Sequence, residues 1–157
     1  MKILVMSDSH GNKDAMLKAI AVESPGIILH LGDYIKDCAA IEWEYPEIPL
    51  HSVLGNCDRF STGLEIDEFT LSGKRFFMTH GHLHHVKTGY SYLLSAAASR
   101  GADVALFGHT HVPYFSVSEN CAFINPGSIG MNRKTYAVLE IKNVDVTCEI
   151  KHVIRSR

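Results

Sequence analysis

Three apolar runs, residues 2–6, 27–31 and 50–54, each lead into a short polar motif: Asp8-Ser9-His10, Gly32-Asp33 and Gly55-Asn56-Cys57-Asp58. Between the first two runs, residues 13–22 place Ala15, Met16, Ala19 and Ile20 on one helical face, with Asn12 positioned to cap the start. Pro25-Gly26 punctuates the chain before the second run, and a weaker helical pattern covers residues 37–44. This β-α-β-α-β order predicts a largely parallel sheet, because parallel strands need crossover connections. Such connections leave ligands at the carboxyl ends of the strands. The polar motifs fall at those ends.

The second half has a different rhythm. Residues 65–71 and 75–79 flank Ser72-Gly73-Lys74, residues 114–117 and 122–124 flank Ser118-Glu119-Asn120, and residues 136–141 precede 146–153. Each pair reads as a hairpin. Residues 90–100 are alanine-rich and helical, and residues 104–107 form a buried strand that delivers Gly108-His109-Thr110-His111. No repeat, linker or low-complexity tract interrupts the chain. Its 157 residues, 46% of them hydrophobic, suit one domain spanning 1–157 with a real core. The expected class is α/β with mixed sheets.

Composition excludes several functions. The net charge of -2 offers no basis for non-specific attraction to nucleic acid or an anionic membrane. No apolar run approaches a membrane span, and no charged-then-apolar leader precedes the first strand, so a reducing cytoplasm is expected. Of the four cysteines, Cys38, Cys121 and Cys148 read as buried small hydrophobes. No Cys-x-x-Cys occurs, which argues against a thiolate zinc site. Trp43, Tyr45, Phe60 and Tyr114 could serve a homo-oligomer interface, but ordinary burial is the preferred reading.

The chemistry lies in the histidines. Seven of the ten, His10, His80, His82, His84, His85, His109 and His111, fall in or beside the motifs. Asp8 and His10 are two apart, so in an extended segment both point to one side and reach one ion. His109 and His111 repeat that spacing, and His80 follows the strand at 75–79. Taken alone, Gly32-Asp33 and Gly55-Asn56 read as turns, with Gly55 giving the backbone freedom to aim Asn56. Together the motifs supply two carboxylates, one amide and several imidazoles, enough for two divalent metals. Imidazole suits zinc, manganese, iron and nickel.

All of these motifs in this order, with Met1-Lys2-Ile3-Leu4 at the start and Asn125-Pro126-Gly127-Ser128 near the end, resemble the calcineurin-like binuclear metallophosphoesterases, in their small prokaryotic phosphodiesterase branch. The resemblance runs nearly end to end. It implies two packed mixed β-sheets between outer helices, a four-layer αββα fold. It implies one ion held by Asp8, His10, Asp33 and His111, and a second by Asp33, Asn56, His80 and His109, with Asp33 as the bridge. Manganese is the first expectation, with zinc, iron and nickel as alternatives. The implied reaction is hydrolysis of a small phosphodiester by a hydroxide that the paired metals activate. Asp8, Asp33 and Asn56 serve it as ligands, and His82 as a contact to the phosphate or a group supporting the ligands.

Some features depart from the wider superfamily. Protein-phosphatase relatives place a histidine, proposed as general acid, where this chain has Cys57, and a thiol is a poor equivalent. Monoesterases often carry an arginine just before Gly-Asn, where this chain has Leu54; Arg59 and Arg133 are the basic residues that could compensate. Asp8, Asp33 and a hydroxide leave a divalent pair with residual positive charge that a diester monoanion neutralises and a monoester dianion exceeds. A phosphodiesterase is therefore favoured over a phosphomonoesterase or nucleotide phosphatase. A non-catalytic scaffold on the same fold, as in one retromer subunit, is the alternative from another class. Asn125 and Ser128 are expected to shape the rim, Asp58 to orient neighbours, and His84 and His85 to lie in a solvated loop.

Overall fold

A computed structural model describes residues 1–131, 133–142 and 145–154. In chain order its regular elements are β1 (Lys2–Met6), α1 (Lys13–Glu23), β2 (Ile27–His30), α2 (Cys38–Glu44), β3 (Leu50–Ser52), β4 (Ile66–Leu71), β5 (Lys74–Thr79), α3 (Ser91–Ser99), β6 (Val104–Leu106), β7 (Tyr114–Ser118), β8 (Cys121–Asn125), β9 (Thr135–Lys142) and β10 (Asp145–His152). Short 3-10 turns at Ile35–Asp37 and His82–His84 complete the list. The two residues between β9 and β10 and the last three of the chain lie outside the described residues.

The strands form two mixed sheets of five, ordered β10-β9-β1-β2-β3 and β4-β5-β6-β8-β7. In the first, β1, β2 and β3 are parallel and β9 runs antiparallel to β1. In the second, β5, β6 and β8 are parallel, with β4 and β7 as antiparallel edges. All three expected hairpins form. Beyond Ser52, Val53 N–H still donates to His30 O at 3.1 Å, and Val53 and Leu54 pair with Leu64 on the other side.

Why the layers stack follows from the period-two alternation along each strand. Ile3, Val5, Leu29 and Leu31 of the first sheet meet Phe76, Met78, Val104, Leu106 and Ile124 of the second, and this is the central core. The alternate residues Leu4, Met6 and Ile28 face outward and are covered by Met16, Ala19 and Ile20 of α1 and Ile41 of α2. On the far side Phe77, Ala105 and Phe123 are covered by Leu93 and Ala97 of α3. Because both faces of each sheet are covered, the central strands read as continuous apolar runs. The layering is therefore helix, sheet, sheet, helix. The expected face of α1 is the buried one, and the Asn12 side chain accepts the Ala15 amide at 3.2 Å to cap it.

Two expectations about burial fail. Trp43 is 84% exposed and Phe60 fully exposed; Trp43 lies on the side of α2 away from the buried Cys38 and Ile41. Cys38 and Cys121 are buried, and Cys148 is half-buried against the central core. Among the described residues no helix is long and apolar enough to cross a membrane.

Candidate metal centre

The loops after β1, β2, β3, β5 and β6 converge on one end of the sandwich, tied by bonds that cross between sheets. His80 Nδ1 donates to the Leu31 carbonyl at 2.7 Å. Ile129 N–H donates to Ser7 O at 3.0 Å, and Ser128 Oγ to Asp8 O at 2.8 Å. Asn125 Nδ2 donates to Gly108 O at 2.9 Å and to Thr110 Oγ1 at 3.0 Å. Asn125 and Ser128 are thus buried girders between the ligand loops rather than rim groups facing solvent.

The backbone here corrects one premise. Asp8, His10, Asp33, His109 and His111 all have φ between 44° and 67°, so neither two-apart pair lies in an extended segment. Non-glycine residues rarely adopt this left-handed region, and surrounding bonds must hold them there. For the Asp8–His10 turn those bonds come from Asp37, whose Oδ2 accepts Ser9 Oγ at 2.8 Å and Gly11 N at 2.7 Å. Gly32 N–H and Asp58 stabilise the neighbouring turns, Asp58 by accepting Ile35 N and Gly55 N, each at 2.9 Å. Gly55 itself is not left-handed. It is required because a Cβ there would run into the Asp33 carboxylate and amide.

These turns bring the donors together. Asp8, His10 and His111 form one group in which the donor atoms lie within 4.8 Å of one another, and Asp8, Asp33 and His80 form another. His111 Nε2 is 3.0 Å from Asp8 Oδ1, and His10 Nε2 is 3.4 Å from His111 Nε2. Asp33 lies between the groups, its Oδ2 4.0 Å from His10 Nε2 and its Oδ1 3.5 Å from His80 Nε2. Asn56 Oδ1 is 3.2 Å from His80 Nε2. His109 packs its ring edge-on to His80 at 5.0 Å between centroids, and its amide donates to Asp8 Oδ2 at 3.2 Å.

This arrangement fits cations. Asp8 Oδ1 is buried and has no hydrogen-bond partner despite the close His111 nitrogen. The Leu31 carbonyl requires the proton of His80 on Nδ1, so Nε2 presents a lone pair to Asp33 and Asn56. Lone pairs thus face one another across a gap that a metal would close. Burial acts to raise the pKa of Asp8, but contact with His111, the neighbouring His80 and the Ser7 hydroxyl outweigh it and hold the carboxyl below its usual range. Contact with Asp8 raises the pKa of His111. Burial, and then the nearby His80 and Lys87, push His109 down to about 4, which keeps it in the neutral form that a metal needs.

His82 lies beside these donors, 5.5 Å from the His80 ring and 6.1 Å from that of His109, with a buried Nδ1 that has no partner. Burial lowers its pKa. His85 is exposed as expected, but His84 is half-buried, edge-on to Phe77. Arg59 and Arg133 are exposed. Cys57 is exposed beside the centre, and its Sγ, a nitrogen of His10 and an oxygen of Asp33 form a third close group. The missing Cys-x-x-Cys excludes paired thiolates but leaves such a single thiol possible. Partial desolvation, then the Asp33 carboxylate, push this thiol up to about 11. Sequence reasoning missed Ser7, Asp37 and His30. His30 is a lone polar residue inside an apolar run, Ser7 abuts the Asp8-Ser9-His10 motif, and Asp37 lies in the segment after Gly32-Asp33, so nothing in the local pattern marks their contacts.

Residues 1–144 match the family model described as the calcineurin-like phosphoesterase superfamily domain. The chain is 34% identical over 140 residues to a probable metallophosphoesterase of Mycoplasma pneumoniae, covering 84% of this chain and 81% of that one. It is 30% identical over 145 residues to a phosphodiesterase of Methanocaldococcus jannaschii, covering 81% and 83%. The crystal structure of a predicted phosphoesterase from Streptococcus pneumoniae superposes with a TM-score of 0.81 at 28% identity, over 96% of this chain and 88% of that one. The zinc complex of Vps29 from Entamoeba histolytica, at 18% identity and a TM-score of 0.75 over 98% and 100%, shares the fold. A chain with this domain match, these relatives and this layering belongs to the calcineurin-like phosphoesterase superfamily.

Proposed function

We propose that this protein is a metal-dependent phosphodiesterase acting on small phosphodiesters, with Asp8, His10, Asp33 and His111 holding one divalent ion and Asp33, Asn56, His80 and His109 a second. The observation that carries the reading is Asp33, set between two donor groups with one oxygen toward each. When bound, paired divalent ions lower the pKa of water and neutralise phosphoryl oxygens. Manganese is the favoured ion, and imidazole-rich sites also accept zinc, iron and nickel.

The chain's own groups supply the rest. His80 is fixed in one tautomer by Leu31, and His109 is kept neutral by burial, so both offer lone pairs. His82 stands at the edge of the centre with a buried, unpartnered nitrogen, placed to contact the phosphate or to protonate a departing alkoxide. Asp8, Asp33 and a hydroxide leave a divalent pair with a residual charge that a diester monoanion neutralises and a monoester dianion exceeds, which favours a diester. The full donor set and the orphaned Asp8 oxygen favour catalysis over a scaffold role.

The test is turnover of bis(p-nitrophenyl) phosphate and p-nitrophenyl phosphate by chelator-treated protein, with and without added manganese. Hydrolysis that depends on manganese and is faster on the diester is expected. Turnover indifferent to metal, or faster on the monoester, would reject the assignment.

A further inference from the structure

We propose that Cys57 is a ligand for thiophilic divalent ions, so that one side chain sets how this centre discriminates zinc- or cadmium-like ions from manganese. The inference rests on the two-metal reading above and adds a donor to it. Cys57 Sγ, a nitrogen of His10 and a carboxylate oxygen of Asp33 lie within 4.8 Å of one another. The backbone that carries the thiol is anchored beside the centre, since Cys57 N–H donates to Asp33 Oδ1 at 2.8 Å. Asn56 Nδ2 approaches Sγ at 3.5 Å. Cys57 is also exposed, whereas Cys38 and Cys121 are buried and Cys148 packs against the core. Of the four thiols, this is the one an arriving ion can reach.

Tetrahedral zinc holds sulfur at about 2.3 Å and nitrogen or oxygen at about 2.0–2.2 Å, which sets the donors about 3.5 Å apart. Closing the group to that spacing asks for a rotamer change at an exposed residue rather than movement of the backbone. A coordinating thiol is deprotonated outright, and here its proton leaves to solvent. Soft sulfur selects zinc and cadmium, whereas manganese prefers carboxylate, carbonyl and water. A thiolate bound in this way adds negative charge and fills a coordination position that water or substrate would otherwise use. Thiophilic ions therefore bind more tightly than manganese in the wild-type protein and support slower turnover.

Chelator-treated wild-type protein and Cys57→Ser are titrated with cadmium, zinc and manganese. The expected result is an ultraviolet sulfur-to-cadmium charge-transfer band in the wild type that is lost in Cys57→Ser. The other three cysteines remain in the variant, so the lost band belongs to Cys57. Zinc affinity should fall about 10–100-fold in the variant, with manganese affinity unchanged. In the wild type, zinc but not manganese should protect Cys57 from iodoacetamide, read by mass spectrometry of its peptide. Bands of equal strength in both proteins, or equal labelling under both ions, would overturn the proposal. If the protein binds two manganese ions but gives no cadmium band, this inference alone falls. If it binds none of the three ions, the two-metal reading falls with it.

Discussion

Acid should destabilise the metal-free protein through a histidine that is not one of the proposed ligands. His30 closes β2 with its side chain fully buried. Its Nδ1 accepts the Gly32 amide at 3.3 Å, which puts the proton on Nε2, and Nε2 has no partner. Burial drives its pKa down to about 4, against the opposing pull of Asp8, Asp58 and Asp37. The unfolded chain has a histidine of about 6.5 and so binds the proton first as pH falls. Stability is then present above about pH 6.5 and is lost progressively between there and about pH 4. At about pH 5 the linkage amounts to about 2 kcal/mol and at about pH 7 to almost nothing, a large part of a typical margin of about 5–15 kcal/mol. His30→Asn keeps an acceptor for Gly32 and removes the titration. Its cavity costs the same at both pH values and cancels from the comparison. Urea unfolding of chelator-treated wild type and variant at the two pH values should show the loss shrinking by about 2 kcal/mol in His30→Asn. The remaining loss includes His109, which burial also holds at about 4. An identical pH 7-to-5 loss in both proteins would refute the reasoning.

Three further outcomes are expected. Asp33→Ala should lose both turnover and tight binding of the metal pair, read by elemental analysis of the purified variant; two retained equivalents with wild-type turnover would remove Asp33 from the bridging position. Gly55→Ala should destabilise by about 1–3 kcal/mol and weaken metal binding together, because its Cβ must displace the Asp33 carboxylate; urea unfolding and metal titration read the two effects. His82→Ala should lower kcat by about 10²–10⁴-fold on diesters with poor leaving groups and much less for a nitrophenolate, with metal content unchanged; equal slowing of both substrate kinds would remove the acid role.

The α/β class with mixed sheets was legible because short apolar runs alternate with a 3.6-period helix and later pair as hairpins, whereas the two-sheet, four-layer arrangement was implied by the family resemblance. Which layer each residue of the first strand faces, Ile3 the central core and Leu4 the α1 side, is shown by the structure. The donors were legible as a set because histidines and carboxylates recur where strands end. How they converge was not. Spacing suggested extended pairs, yet Asp8, His10, His109 and His111 all sit in left-handed turns; tertiary bonds from Asp37, Ser128 and Gly32 hold the Asp8–His10 turn, and Asp8 accepts the His109 amide. Gly55 reads in the sequence as backbone freedom to aim Asn56 and is instead a space left for Asp33. Close approach between distant segments leaves no local signature. Exposure of Trp43 and Phe60 was equally hidden, since an aromatic side chain carries the same apolar signal whether or not a sheet face lies within reach.

The central claim is that two ions act together across Asp33, and one titration tests it most directly. Chelator-treated protein is given manganese in steps while bound metal per chain and turnover of bis(p-nitrophenyl) phosphate are measured on the same samples. Turnover should rise with the second equivalent bound and stay near background with one. Full turnover with a single ion per chain, or with none, would contradict it.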